Sequence, residues 1–247
     1  MMTALLLSIL FCLRKNLDFT LLTYRQLLET LKECGYTFIT FKQYCQTPAD
    51  KLPERFIILR HDVDLRAKNS LATAQIEHEF GVQASYYFRV VPEGNQPDII
   101  RKIVALGHEV WYHYEDMAIC QGNHQQAYEH FLKQLAYFRQ FYPVRTICMH
   151  GAPTSQWDGK ELWKQYNYHD LDIIGEPYFD VDFSQLFYLT DTGRSWDGYK
   201  VSVRDKIPVY QDQWIARGLV YHTTQDIISA AEQGSLPPRI MITTHPQ

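Results

Sequence analysis

The stretch ILRHDVDLR, residues 58–66, decides how this sequence is read. An apolar run, Phe56-Ile57-Ile58-Leu59, passes without a turn residue into Arg60, His61, Asp62, Val63 and Asp64. A strand that ends in two carboxylates and an imidazole needs a reason, because buried charge is costly unless it is paired or holds a metal. Side chains two apart on a strand share a face. Asp62 and Asp64 therefore point at one locus and repel there unless a cation or a shared proton relieves them. His61 faces the other way and packs behind the strand, where it can orient Asp62.

Working outward, strand and helix signals alternate. TYRQLLETLKECG (23–35) places Leu27, Leu28 and Leu31 on one helical face and stops at a glycine. AKNSLATAQIEHEFG reads as a helix, ASYYFRV as a strand, and PDIIRKIVALG as a helix opened by Pro97. HEVWYH is a strand, NHQQAYEHFLKQLAYFRQF the longest helix, RTICMH a strand and DGKELWKQ a short helix. LDIIGE, LFYLTD and GYKVSV read as strands, TTQDIISAAEQG as a helix capped by Thr223 or Thr224, and RIMITTH as the last strand. This order predicts a mainly parallel sheet with helices outside. Regular eight-fold closure is not expected, because 173–203 supplies strands without a helix between them. The fold class is α/β, a distorted or incomplete (β/α) barrel of about seven strand–helix units. It occupies 17–247 as one domain, with 1–16 as an N-terminal extension.

Metal-ligand and acid–base residue types recur at the strand ends: Asp62 and Asp64, His113, His150, Asp191 and His245. In parallel barrels those ends form one rim, where active sites sit. Of the other histidines, His78, His124 and His130 read as surface residues and His108 as a structural residue at a strand start, while His169 and His222 fall in loops that carry neither reading.

Composition narrows the class. A net charge of −4 with dispersed Lys and Arg leaves no basic patch for nucleic acid. The five cysteines form no CxxC pair and no metal-finger spacing, which suits a reducing, cytoplasmic setting. TALLLSILFCL near the start is too short to span a bilayer, and its Arg14 and Lys15 follow the apolar run where a signal peptide would put them first. The 17 tyrosines exceed what a core needs, so they line either a sugar-binding cleft or a tyrosine-rich surface.

These motifs, in this order, resemble the polysaccharide deacetylase family (carbohydrate esterase family 4). LRHDVD is similar to a variant of that family's first motif, IVALGHEVWYH to the second, CMHGAPTS holds the place of the third, and IMITTHP is similar to the last. The resemblance runs from Phe56 to His245. It implies Asp62 as catalytic base, His245 as catalytic acid, and Asp64 and His113 as ligands of one divalent ion, zinc before cobalt, nickel or manganese. It departs from the family where a second ligand histidine should follow His113 by four residues, because Met117 stands there, and a thioether is a poor ligand for such an ion. His150 is the candidate third ligand, with Glu115 or Asp116 in reserve. The implied reaction is removal of an N-acetyl or related acyl group from a sugar or glycan precursor. A backbone N–H near Gly151 can help hold the oxyanion, and Asp191 and Arg194 of TDTGRSW either orient the base or the acid or form an ordinary turn with an internal ion pair. The alternatives are an amidohydrolase acting on a small-molecule amide or cyclic imide, and a non-catalytic glycan-binding relative. No stable membrane span is expected.

Overall fold

A computed structural model describes residues 18–196, 202 and 204–246. The 1–16 extension and, apart from Ser202, the expected strand GYKVSV lie outside the described residues.

The chain lays down β1 (Thr37–Ile39), β2 (Phe56–Val63), β3 (Ser85–Phe88), β4 (Glu109–Tyr114), β5 (Ile147–Met149), β6 (Phe187–Thr190) and β7 (Arg239–Thr244). They form one seven-stranded sheet in the order β5-β4-β3-β2-β7-β6, with β1 against the first half of β2. Every pairing is parallel. No described residues pair β5 with β6, so the sheet is a curled half-barrel with two edges. All eight residues of β2 are buried, as a parallel strand covered on both faces requires.

Helices α1 (Leu21–Glu33), α2 (Phe41–Gln46), α3 (Ala67–Glu79), α4 (Pro97–Ala105), α5 (Asp116–Ile119), α6 (His124–Phe138), α7 (Pro177–Asp180), α8 (Pro208–Ala216) and α9 (Thr224–Glu232) fill the connections. Local chemistry sets their ends. Thr20 and Thr223 close capping boxes at α1 and α9, and Pro97 opens α4. Leu27, Leu28 and Leu31 are the buried face of α1, as their spacing predicts.

DGKELWKQ gives its short helix in 3-10 form, Gly159–Lys164. Two expectations differ. LDIIGE makes only an isolated bridge, Gly175 with Thr146, because β5 is short and little edge remains to pair with. The tyrosines are chiefly core: Tyr86, Tyr87, Tyr112 and Tyr114 are fully buried, and each hydroxyl finds a polar partner. The four described cysteines are free. Among the described residues no helix is long and apolar enough to cross a membrane.

Candidate active site

Register brings the strand ends together. Val63 pairs with Phe88 and Phe88 with Tyr112, so Asp64 and His113 each lie one residue beyond the same row. On the other side His61 pairs with Thr244, which sets His245 beside Asp62. The five sequence candidates line one cleft of about 820 Å³, together with Asp191.

Three donor atoms converge there. Asp64 Oδ1 lies 3.1 Å from His150 Nδ1 and 3.6 Å from His113 Nε2. The two imidazole nitrogens are 3.3 Å apart. A tetrahedral ion with bonds of about 2.0–2.1 Å holds its ligand atoms roughly 3.3 Å from one another, so this triangle has the edge lengths of a zinc-sized site. Asp64 Oδ1 is buried and reaches no satisfactory hydrogen bond despite its close neighbours. A hard carboxylate with two imidazoles is also the donor chemistry that zinc and its neighbours in the series accept.

Each arm is fixed. His113 Nδ1–H donates to the Cys148 carbonyl at 3.0 Å, which turns the Nε2 lone pair towards Asp64 and His150. Burial, reinforced by His150, holds the His113 imidazole well below its ordinary pKa and therefore neutral. Burial alone would raise Asp64, but His150, His113 and His245 outweigh it and the carboxyl stays below its usual range. The backbone N–H of His150 donates to Tyr114 O at 2.8 Å, which joins the residue after β5 to β4. Beyond the end of β2, a Cβ on Gly94 would stand 3.0 Å from the Val63 carbonyl and 3.1 Å from that of Asp64, so glycine lets the 91–96 loop close against this end without a shift of a few tenths of an ångström.

The reserve ligands are elsewhere. Both oxygens of Glu115 take bidentate bonds from Arg89. Asp116 is buried behind β4, where it accepts from Tyr112 and from His130 Nδ1 at 2.5 Å. His130 is thus a half-buried ion-pair partner and not a free surface residue.

Asp62 and His245 stand next to the triangle. His245 Nδ1 is 2.6 Å from Asp191 Oδ1 and its Nε2 is 3.9 Å from Asp62 Oδ2. Burial would lower the His245 pKa, but the Asp191 carboxylate, with Asp62 and Asp205 behind it, pushes it up to about 10. The backbone N–H of His245 also donates to Asp191, so one carboxylate fixes both chain and ring. Of the two readings of TDTGRSW, orientation of His245 describes Asp191. Arg194 serves the turn, donating its backbone N–H to the Asp191 carbonyl at 2.8 Å. The Gly151 turn borders the cleft, and Arg204 grips its carbonyls at Gly151, Ala152 and Ser155.

Sequence reasoning missed two members. Arg60 is fully buried and forks onto Asp62, Nε to Oδ1 at 2.8 Å and Nη2 to Oδ2 at 2.5 Å. The i, i+2 spacing on β2 carried that signal. Asp205 accepts from Tyr178, Tyr188, Thr190 and Thr192, and nothing in SVRDK announces it. Burial works against its charge, but Arg60 and His245 hold it well below the carboxylate range.

No family model matches the chain, and no curated protein does. Among solved structures it is similar to IcaB from Ammonifex degensii, at 14% identity and a TM-score of 0.47, over 59% of this chain and 72% of that one. It is also similar to the Xyl-CE4 domain of a multidomain xylanase from the hindgut metagenome of Trinervitermes trinervoides, at 13% identity and a TM-score of 0.43, covering 79% and 75%. A CE4-family pseudoenzyme from Bacillus anthracis is matched at 13% identity and a TM-score of 0.39, over 80% of this chain and 60% of that one.

Proposed function

We propose that this chain is a metal-dependent hydrolase that removes an N-acetyl or related acyl group from a sugar or glycan precursor. The observation that carries the reading is the triangle of Asp64, His113 and His150, with separations of 3.1, 3.3 and 3.6 Å, set directly beside the Asp62 carboxylate, whose Oδ2 is also 3.6 Å from His113 Nε2, and the His245 imidazole. Asp64, His113 and His150 would hold a divalent ion, zinc first, which when bound would supply Lewis acidity towards the acyl carbonyl and lower the pKa of water.

The chain's own residues supply the proton transfers. Asp62, held in place by Arg60, accepts a proton from the attacking water as general base. His245 donates from Nε2 to the departing amine. Asp191 holds the opposite nitrogen, so the ring carries both protons at neutral pH and faces the locus in one orientation. Hydrolysis of a small-molecule amide or cyclic imide would use the same groups. A non-catalytic glycan-binding role has one specific observation in its favour: Arg60 donates to both Asp62 oxygens, so a water would share the carboxylate with a bidentate guanidinium.

Metal analysis of protein purified without added metal, followed by acetate release from N-acetylated chitooligosaccharides before and after chelation, tests the proposal. Roughly one equivalent of zinc-like ion and chelator-sensitive acetate release are expected. Bound metal without turnover on any acetylated sugar or amide would favour the binding role, and absence of stoichiometric metal would overturn the site itself.

A further inference from the structure

A second groove, of about 1050 Å³, meets the first at Asp64 and His150, which line both. Asp62, Asp191 and His245 line only the first. A small ligand placed between the triangle and His245 would leave the second groove empty. A longer ligand would continue past Asp64 and His150 into it.

The wall of this second groove is apolar in a way a solvated surface is not. Leu65, Ile119 and Trp157 line it and are 42, 46 and 36% exposed. Large apolar side chains grouped on one concave surface mark a binding site, whereas scattered ones need no explanation. Arg89 and Glu115 also line the groove, and their two mutual hydrogen bonds leave the pair without net charge. The wall therefore suits a neutral ligand with both apolar and hydrogen-bonding surface.

Trp157 is held from two directions. Its backbone N–H donates to Ser155 Oγ at 3.0 Å, and the Ser155 N–H donates to the Ala152 carbonyl at 2.9 Å. Arg204, gripping carbonyls of the same loop, ties this turn to the rest of the site. Gly122, at φ +80° between α5 and α6, lies against the indole. A Cβ there would stand 2.6–2.8 Å from three adjacent atoms of the six-membered ring, which is an approach to the face of the ring. Backbone thus backs the indole on one face, and its exposed surface lies in the groove. An aromatic ring already fixed in place gives contact area at little entropic cost.

We propose that this groove is a subsite for a neutral sugar residue adjoining the one that is deacylated, with the C–H face of its pyranose ring against Trp157. The substrate is then an oligosaccharide, not a monosaccharide or a small amide. The reaction itself rests on the function proposed above; the affinity of the groove for a glycan chain does not. A pyranose matches the wall because its ring C–H groups are apolar while its hydroxyls reach polar atoms at the rim. A cyclic imide has no second ring to place there.

Acetate release from N-acetylglucosamine and from tetra-N-acetylchitotetraose reads the groove as a ratio. In the wild type, kcat/KM for the tetramer should exceed that for the monomer by about 10-fold or more, a gain on the scale of one aromatic contact. Trp157→Ala should cut this ratio about 10-fold with metal content unchanged, and Trp157→Phe should keep most of it. Should Trp157→Ala fail to fold, Ile119→Asn, at a side chain already in contact with water, must cut the ratio about 3-fold. A wild type indifferent to chain length overturns the proposal, as does a ratio that survives in the folded variant. If the wild type is inert on both sugars, the proposed reaction falls, and calorimetry on chelated protein decides the groove by itself. Tetramer binding that weakens about 10-fold in Trp157→Ala would uphold the subsite. Tetramer binding that is absent, or unchanged in the variant, would overturn it.

Discussion

Replacing Arg60 by Met would expose how the centre of the site is held. Arg60 is 1% exposed and Asp62 2%, so the pair is out of water on both sides. Methionine keeps an unbranched stem between the Tyr87 and Tyr178 rings, whose centroids lie 5.9 and 5.4 Å from the guanidinium carbon, and it removes both hydrogen bonds to Asp62. Breaking a buried pair by deleting one partner typically costs about 3–5 kcal/mol, because the other charge is stranded. His245 Nε2, 3.9 Å from Asp62, offsets part of this, which places the expected loss near the lower end, about 3 kcal/mol. For a chain of this size that is a fall in Tm of roughly 6–12 °C. Urea unfolding of chelated protein measures it, and chelation removes any contribution from bound metal. The double variant Arg60→Met/Asp62→Asn should recover most of the loss, since no stranded charge remains. A single variant that loses less than about 1 kcal/mol, the range of solvent-exposed ion pairs, would refute the claim that this pair is dry.

Other outcomes follow from the same geometry. His150→Ala should abolish stoichiometric metal binding, while Glu115→Gln and Asp116→Asn should keep it; the opposite pattern by metal analysis would move the third ligand. His245→Ala should retain metal yet slow acetate release by on the order of 10²-fold or more, and loss of metal would make His245 a ligand. The His245 pKa is raised from an unfolded value of about 6.5 to about 10, so its stabilisation is fully present below 6.5 and is lost as pH rises through 10. Asp191→Asn should erase that alkaline dependence in thermal unfolding measured across the range. Gly94→Ala should weaken metal affinity in competition titrations, because a methyl 3.0 Å from the Val63 carbonyl must displace the backbone that carries Asp64; unchanged affinity would show that the loop yields instead.

Much of this centre was legible in the sequence, for a local reason. Strand alternation fixes which side chains share a face, and the strand–helix order makes the sheet parallel, so residues at the C-terminal strand ends meet on one rim. Asp62, Asp64, His113, His150 and His245 were therefore identifiable as neighbours before any distance was known. His61 turned away from them for the same reason. The cap at Thr223 and the proline at the start of α4 are equally local and lie where the sequence puts them, and α1 begins at Leu21, two residues before the sequence placed it.

What the tertiary structure decided is the partner of each charge. Glu115 and Asp116 stand two and three residues after His113 and were credible ligands by spacing. Arg89, reaching from the residue after β3, and His130, on a helix two turns into α6, take them out of the site. Glu77 sits in an ordinary helical pattern, and only the packing of α3 behind β2 makes it the hydrogen-bond partner of His61. Asp205 enters through a stretch with no pattern at all. Sequence periodicity records backbone geometry over a few residues, whereas the pairing of buried charges depends on which distant side chains the sheet register and helix packing deliver within about 3 Å. The strand ends belong to the first kind of information, and the ion pairs that hold them in place belong to the second.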